Sequence, residues 1–573
     1  MRGRALILGI AVTCAYIAVV TRLVDVMLIS HNWYAARALD QQVKKQEIPV
    51  KRGIIMDRRG RELAVNIDTE SVYCNPSEIT SPTTVASALS RGLNKNPDVI
   101  LAKLTPNRKF TWLERKADVE YVDKVRALKV KGVGFQSESK RLYPRGKLAS
   151  QILGYVDIDN NGLEGVERTY DKKLTSLSEA VRVVKDARGN VLSDGQQREI
   201  KGNNVRLTID EGLQYIMEKN LDSAMTSRQA AAAVGIMMDP HTGEIFAMAV
   251  RPTYDPNNPA DFRPSLRRNR AITDVFEPGS TFKIIVGTAA LEEKVVKPET
   301  RFDCSAGYIE IGGGKINDAH RHGVLTFQEV IQKSSNVGTI QIALKLGRNR
   351  VYEYLKRFGF GDRTGIDLAG EVSGLVRKPN HWSGMSIGAI AIGQEVAVTP
   401  LQIVRAYSAI ANGGYLVRPH IVSEVMSPDG QVVYKPELMK KKILSEGTVR
   451  VFRDMLKTVT EEGGTAIDAA VDGNQVAGKT GTAQQIDPGT RRYSKDKYVS
   501  SFVGFVPADN PKLAMIIVVY EPKGEIYGGI VAGPVFRKTA SEALSYMSVP
   551  RDDAREKGLQ VVSSLQQPDA GVK

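Results

Sequence analysis

The stretch FEPGSTFKIIVGTAALEEKVV, residues 276–296, decides how this chain is read. Pro278-Gly279 interrupts the backbone, Ser280 follows, and Lys283 comes three residues later at the start of an apolar helical run. The plainest reading makes Ser280 an N-cap. The other makes it a nucleophile. Its Oγ would lie at the helix N-terminus, where free N–H groups and the macrodipole favour developing negative charge, with Lys283 on the same face one turn along. A lysine partly withdrawn from water and close to other cations loses its proton more readily and can serve as a general base.

Ser-x-x-Lys alone is a weak signal. It recurs at Ser137/Lys140 and Ser494/Lys497, both in polar surroundings with no apolar helix behind them. Two further stretches matter more. In TFQEVIQKSSNVG, Thr326 and Glu329 stand at capping-box spacing, which predicts a helix running into Ser334-Ser335-Asn336. Ser334 and Asn336 can then both face a cleft from the helix end. Ser-x-Asn is common by itself; Ser30-His31-Asn32 matches it and carries no chemistry. AGKTGTAQQ presents Lys479, Thr480, Gly481 and Thr482 on a strand. Alternation places Lys479 and Gly481 on one face and the threonines on the other, with the glycine permitting close approach of a ligand backbone. Each piece alone has an ordinary explanation: a cap, a helix-end residue, a solvated lysine. All three in this order make Ser280 the nucleophile.

The bulk properties frame this. A chain of 573 residues exceeds one ordinary core, so two or three domains are expected. Its 42% hydrophobic and 25% charged content is that of a globular protein. The net charge of +15 is spread along the chain and paired with acids, and no nucleic-acid fingerprint accompanies it. That favours an anionic or membrane-proximal setting and no nucleic-acid partner. Cys14, Cys74 and Cys304 form no CxxC, and the six histidines form no HExxH, so no metal site is expected. So few thiols suit an exported protein that does not depend on disulfides; a Cys74–Cys304 bridge stays open.

Residues 5–29 are apolar enough and, as helix, long enough to cross a bilayer. No small-x-small cleavage site follows, so an uncleaved anchor is expected rather than a signal peptide. Arg2 and Arg4 put the tip, residues 1–4, inside by the positive-inside rule and the remainder outside. Arg22 and Asp25, three apart at the outer end, read as a local ion pair or as a contact to another membrane protein. Residues 30–45 read as a polar stalk. Residues 46–215 read as a non-catalytic α+β module opening with a hairpin around Asp57–Gly60. Residues 205–226 read as strand, Asp210 cap and amphipathic helix. Residues 228–548 hold every reactive motif. A hairpin around Asp239–Gly243 opens that part, helices dominate from 276 to about 415, and three strands with a final helix close it. The expected fold class is α+β and multidomain, with a central antiparallel sheet flanked by helices. The tail, 549–573, is polar and expected to be disordered.

The three motifs are those of penicillin-binding proteins and β-lactamases, and the chain resembles the class B (monofunctional) penicillin-binding proteins over nearly its whole length. RGIIMDRRGRELA, RLYPRGKLASQILGYV and GLEGVE resemble segments of that family's N-terminal module, and GQEVAVTPLQ and GPVFRKTA resemble segments of its transpeptidase domain. Within the family the FtsI-like division transpeptidases fit best and the elongation type is the nearest alternative. Ser335 stands where β-lactamases often carry Asp, which is usual for high-molecular-mass members. The resemblance implies that Ser280 attacks the D-Ala-D-Ala carbonyl of a peptidoglycan stem peptide while Lys283 accepts its proton. It implies an oxyanion hole from the N–H groups of Ser280 and Thr482. Ser334, oriented by Asn336, would relay a proton to the leaving D-alanine, and Lys479, Thr480 and Thr482 would hold the terminal carboxylate of a stem peptide or a β-lactam. An amine from a second stem peptide resolves the acyl-enzyme; no cofactor is needed. A FtsW-type polytopic glycosyltransferase and other divisome membrane proteins are the implied partners. A β-lactamase or D,D-carboxypeptidase would need neither the anchor nor the extra module, and β-lactam sensors usually carry several membrane segments. No acidic residue in or beside the motifs is placed to activate water, and Glu277 should point away.

Overall fold

The computed structural model describes residues 2–34, 37, 51–105, 108–175, 201–487, 489–490 and 492–552. Most of the expected stalk and the tail beyond 552 lie outside these.

Helix α1 (Arg2–Val24) continues through a wider π-type turn at Asp25–Ile29. The span Leu6–Ile29 is long and apolar enough to cross a membrane, and none of it is buried against protein. At its end Arg22 pairs with Asp25 at 2.6 Å and donates to the Tyr34 hydroxyl at 2.8 Å, while Ser30 donates to Asp25 at 2.7 Å. The expected ion pair is thus part of a small polar network.

The body of the chain holds two large sheets. The first contains the Asp57–Gly60 hairpin (Ile55–Met56 and Glu62–Cys74), with Thr111–Ala117 and Val133–Leu142 paired to its long arm. Ile55–Met56 also runs parallel to Asn204–Leu207, which pairs antiparallel with Val422–Met426. Residues from the last third of the chain therefore complete a sheet begun near residue 55. One hydrophobic core runs from Ile55, Leu63 and Val205 through to the reactive half, and a second, smaller core sits under Val72, Leu89 and Leu113. Cys74 is buried in the small core and Cys304 in the large one; both are free thiols.

Two of the quoted N-terminal segments meet at a buried ion pair. Arg141 donates to Glu167 at 2.7 Å, with both side chains at most 1% exposed, and to the Gly53 carbonyl at 2.8 Å. The hairpin turn is tied elsewhere: Arg61 pairs with Asp57 at 2.6 Å and with Asp210 at 3.1 Å. Asp210 caps helix α2 (Glu211–Arg228) as expected, accepting from the N–H groups of Gly212 and Leu213.

The second sheet carries the motifs. Its strands are β1 (Ala232–Met238), β2 (Ile245–Arg251), β3 (Ala477–Ile486), β4 (Tyr493–Val506) and β5 (Leu513–Tyr520), ordered β3-β4-β5-β1-β2 and antiparallel throughout. β5 is a continuous apolar run because helices cover both its faces. Helix α2 and a last helix, Gly533–Tyr546, pack on one side and Pro400–Ala411 on the other. β3 lies at the edge, so one of its sides has no strand partner among the described residues. The helical middle expected from 276 to about 415 is interrupted by short strand pairs, among them the hairpin Tyr308–Ile311/Gly314–Asn317.

Candidate active site

Ser280 lies in a 3-10 turn, Gly279–Phe282, that leads directly into helix α3 (Lys283–Glu292). No side-chain capping bond is made there, so Ser280 is not the N-cap of the plain reading. Its hydroxyl is half-buried and has no hydrogen-bond partner among the described residues. The segment before it is clamped. Phe276 exchanges two backbone hydrogen bonds with Val398, and Gly279 N–H donates to Gly393 O at 3.1 Å. A Cβ on Gly393, at φ +78°, would sit 2.1 Å from Gly279 O, which explains the glycine opening GQEVAVTPLQ.

Lys283 is completely buried. Its Nζ donates to Ser334 O at 2.5 Å, to Asn336 Oδ1 at 2.8 Å and to Ser334 Oγ at 3.3 Å. Burial pulls its pKa down to about 7, against a smaller upward pull from Asp318. Helix α4 (Phe327–Gln332) starts with the expected capping box of Thr326 and Glu329. The chain then turns with Ser334 at φ +58°, a left-handed conformation that non-glycine residues hold only when their surroundings enforce it. Asn336 does not close α4 as expected; it opens a new helix, α5 (Asn336–Leu346), with Ser335 as N-cap. The turn between the helices delivers Ser334 and Asn336 to Lys283.

Lys479 is not the solvated lysine of the ordinary explanation. It is completely buried, and burial together with the nearby Lys283 charge holds its pKa well below the usual lysine value. Its Nζ donates to Thr480 Oγ1 at 3.2 Å, and Thr480 Oγ1 is 3.1 Å from Thr465 Oγ1. Thr482 Oγ1 accepts from Gly528 N–H at 3.0 Å. Gly481 has a packing reason beside the one expected: a Cβ there would lie 2.8 Å from Pro278 O and 2.9 Å from Thr281 Cγ2. The turn that carries Ser280 presses against β3.

The other two Ser-x-x-Lys matches fall on strands, at Val133–Leu142 and in β4, where no helical turn brings serine and lysine together. Glu277 is engaged away from the motifs, accepting from Glu395 N–H at 2.9 Å and from the Tyr493 hydroxyl at 2.9 Å. One acidic residue that the sequence did not single out does stand beside them. Asp318, at the end of the Tyr308–Asn317 hairpin, accepts from Ser335 Oγ at 2.8 Å, from Val337 N–H at 3.1 Å and from Asn336 N–H. Nothing local marks it; its partners lie 17 to 19 residues on.

Comparison with known proteins gives the family. Residues 233–541 match the penicillin-binding protein transpeptidase domain and residues 47–207 the penicillin-binding protein dimerisation domain. The chain is 35% identical to stage V sporulation protein D of Bacillus subtilis, covering 98% of this chain and 88% of that protein. It is 33% identical to the peptidoglycan D,D-transpeptidase FtsI of Escherichia coli K12, covering 89% and 86%. Among solved structures, penicillin-binding protein 3 of Mycobacterium tuberculosis complexed with aztreonam is 30% identical, with a TM-score of 0.69 over 88% of this chain and 97% of that one. Sheet, motifs and relatives lead to one assignment: the chain belongs to the class B penicillin-binding proteins.

Proposed function

We propose that the chain is a membrane-anchored peptidoglycan D,D-transpeptidase that cross-links stem peptides during septal wall synthesis and is acylated by β-lactams. The observation that carries this is Lys283, buried one turn beyond Ser280 and held by Ser334 and Asn336. At pH 7 a lysine with a pKa of about 7 is half neutral, whereas one with an ordinary value has only about one neutral molecule in several thousand. That neutral amine takes the Ser280 proton as Oγ attacks the D-Ala-D-Ala carbonyl. The N–H groups of Ser280 and Thr482 receive the oxyanion. Ser334, positioned by Asn336, hands a proton to the departing D-alanine. The ligand's terminal carboxylate meets Lys479, Thr480 and Thr482, with Gly481 keeping the strand close, and restores the Lys479 charge that burial disfavours. The free edge of β3 is available to pair with the stem-peptide backbone.

A second stem peptide brings the amine that resolves the acyl-enzyme. Water does so slowly, because the two carboxylates close at hand are occupied, Glu277 by Tyr493 and Glu395 N–H, and Asp318 by the turn before α5. Mass spectrometry after a penicillin pulse tests this. The expected result is an adduct on Ser280 lasting minutes or longer, absent in Ser280→Ala and much slower to form in Lys283→Ala. Rapid loss with repeated turnover would make the protein a β-lactamase.

The same reading assigns residues 1–4 to a cytoplasmic tip, 5–29 to the anchor, 30–45 to a stalk, 46–215 to the non-catalytic module, 228–548 to the transpeptidase domain and 549–573 to a tail. The catalytic domain faces outward; a reporter fused after Lys573 that worked only in the cytoplasm would refute this. The family resemblance supports contact of the anchor with a FtsW-type glycosyltransferase, and exchange of the anchor for an unrelated helix should abolish co-purification.

A further inference from the structure

We propose that Asp318 is a positioning residue: its carboxylate holds the backbone of the turn that presents Ser334 and Asn336 to Lys283, and supplies the negative charge next to that lysine. This role rests on the transpeptidase reading above, and Asn336 is held at two points. Its backbone N–H donates to Asp318 Oδ1, and its side-chain Nδ2 donates to Asn317 O at 2.8 Å. With Nδ2 committed to the hairpin, Oδ1 is the atom left to face Lys283 Nζ, at 2.8 Å. The same carboxylate takes Val337 N–H at 3.1 Å and, through Oδ2, the Ser335 hydroxyl at 2.8 Å. Asp318 thus gathers three donors from three consecutive residues, the first turn of α5 and its cap. The hairpin end is itself anchored, since Asp318 N–H donates to Gly307 O at 3.0 Å. The left-handed Ser334 sits between this fixed point and α4, so a shift of Asp318 is transmitted directly to the atoms on Lys283.

Charge adds a second consequence. The groups around Lys283 are Asp318 from the hairpin, Ser334 and Asn336 from the turn, and Lys479 from β3; His322, Lys333 and His320 lie in the same electrostatic neighbourhood. Of the charged groups among these, Asp318 is the one that favours the Lys283 proton, beside the acceptors Ser334 O and Asn336 Oδ1 that bond the ammonium. It opposes burial, so Lys283 can still take up the Ser280 proton and pass it on.

The test is the rate of acylation of the full chain by a fluorescent penicillin across neutral pH, for the native protein and for Asp318→Asn. Removal of the charge should move the acid limb of the profile to lower pH by on the order of one unit. The disturbed turn should slow acylation roughly tenfold. Asp318→Glu should return the limb towards its native position while leaving the rate low. If Asp318→Asn does not fold, Asp318→Ser, which keeps an acceptor for the helix N–H groups without the charge, takes its place with the same expectation. A limb that stays put while the rate falls at every pH would mean a merely structural role and overturn the proposal, as would a native rate and profile. A native chain with no label on Ser280 would overturn the transpeptidase reading as well; a labelled native chain with an unmoved variant overturns only this one.

Discussion

Replacing Gly481 with alanine should disable the nucleophile without touching it. The new methyl would lie 2.5 Å from Ser501 Oγ, 2.8 Å from Pro278 O and 2.9 Å from Thr281 Cγ2, where ordinary contact begins near 3.4 Å. The Ser501 hydroxyl can rotate away. The other two belong to the turn that carries Ser280, and they yield only if that turn moves off β3 by roughly half an ångström. Overpacking of this kind costs about 1–3 kcal/mol. A 1 Å misplacement of reacting groups costs about a hundredfold in rate. Gly481→Ala should therefore fold, melt a few degrees lower, and be acylated by penicillin roughly ten- to a hundredfold more slowly. Thermal unfolding and a time course with a fluorescent penicillin measure both quantities. Gly447→Ala, an exposed position in the helix Glu446–Lys457 where a methyl meets nothing within 4 Å, serves as the control and should match the native rate. A folded Gly481→Ala chain acylated within twofold of the native rate would refute the claim that the turn and the strand are in tight register.

The pH dependence follows from Lys283. Because its pKa in the folded chain is lowered to about 7, the active neutral form is lost as pH falls, so acylation should drop tenfold per unit below that value and level off above it; a stopped-flow profile with its limb near 10 would contradict this. Glu167→Ala should strand the Arg141 guanidinium in the first sheet, with loss of about 3–5 kcal/mol in a denaturant titration, whereas Glu167→Gln, which keeps an acceptor, should lose less.

The turn at Ser280, the helix that opens at Lys283 and the capping box of α4 were legible because their signals are local: a helix stop, an apolar run and a reciprocal pair. The hairpins at Asp57–Gly60 and Asp239–Gly243 and the Asp210 cap came through for the same reason. The central antiparallel sheet was legible from strands at both ends of the reactive half, but several details set by distant neighbours were not. Asn336 looked like the end of α4, since a helix end and the cap of the next helix use the same small polar residues. The packing at Gly481 was not legible, because a lone strand does not reveal that Pro278 and Thr281 lie against it. Asp318 was invisible, since a carboxylate in a hairpin gains a role only when the fold sets it beside Ser335 and Asn336. The ordinary reading of Lys479 assumed solvent that the packing excludes.

The first sheet has a consequence for biogenesis. Strand Asn204–Leu207 finds its outer neighbour in Val422–Met426, and Thr208 Oγ1 bonds Ile421 O across 213 residues of chain. During synthesis the early module therefore emerges with one side of its sheet unsealed, and stays so until more than two hundred further residues have been made. Such an edge is a template for wrong strand pairing, and the long loop that must close makes the correct pairing slow. The early module cannot finish folding ahead of the catalytic half. The two mature together, and the unsealed edge stays open to wrong partners for that interval.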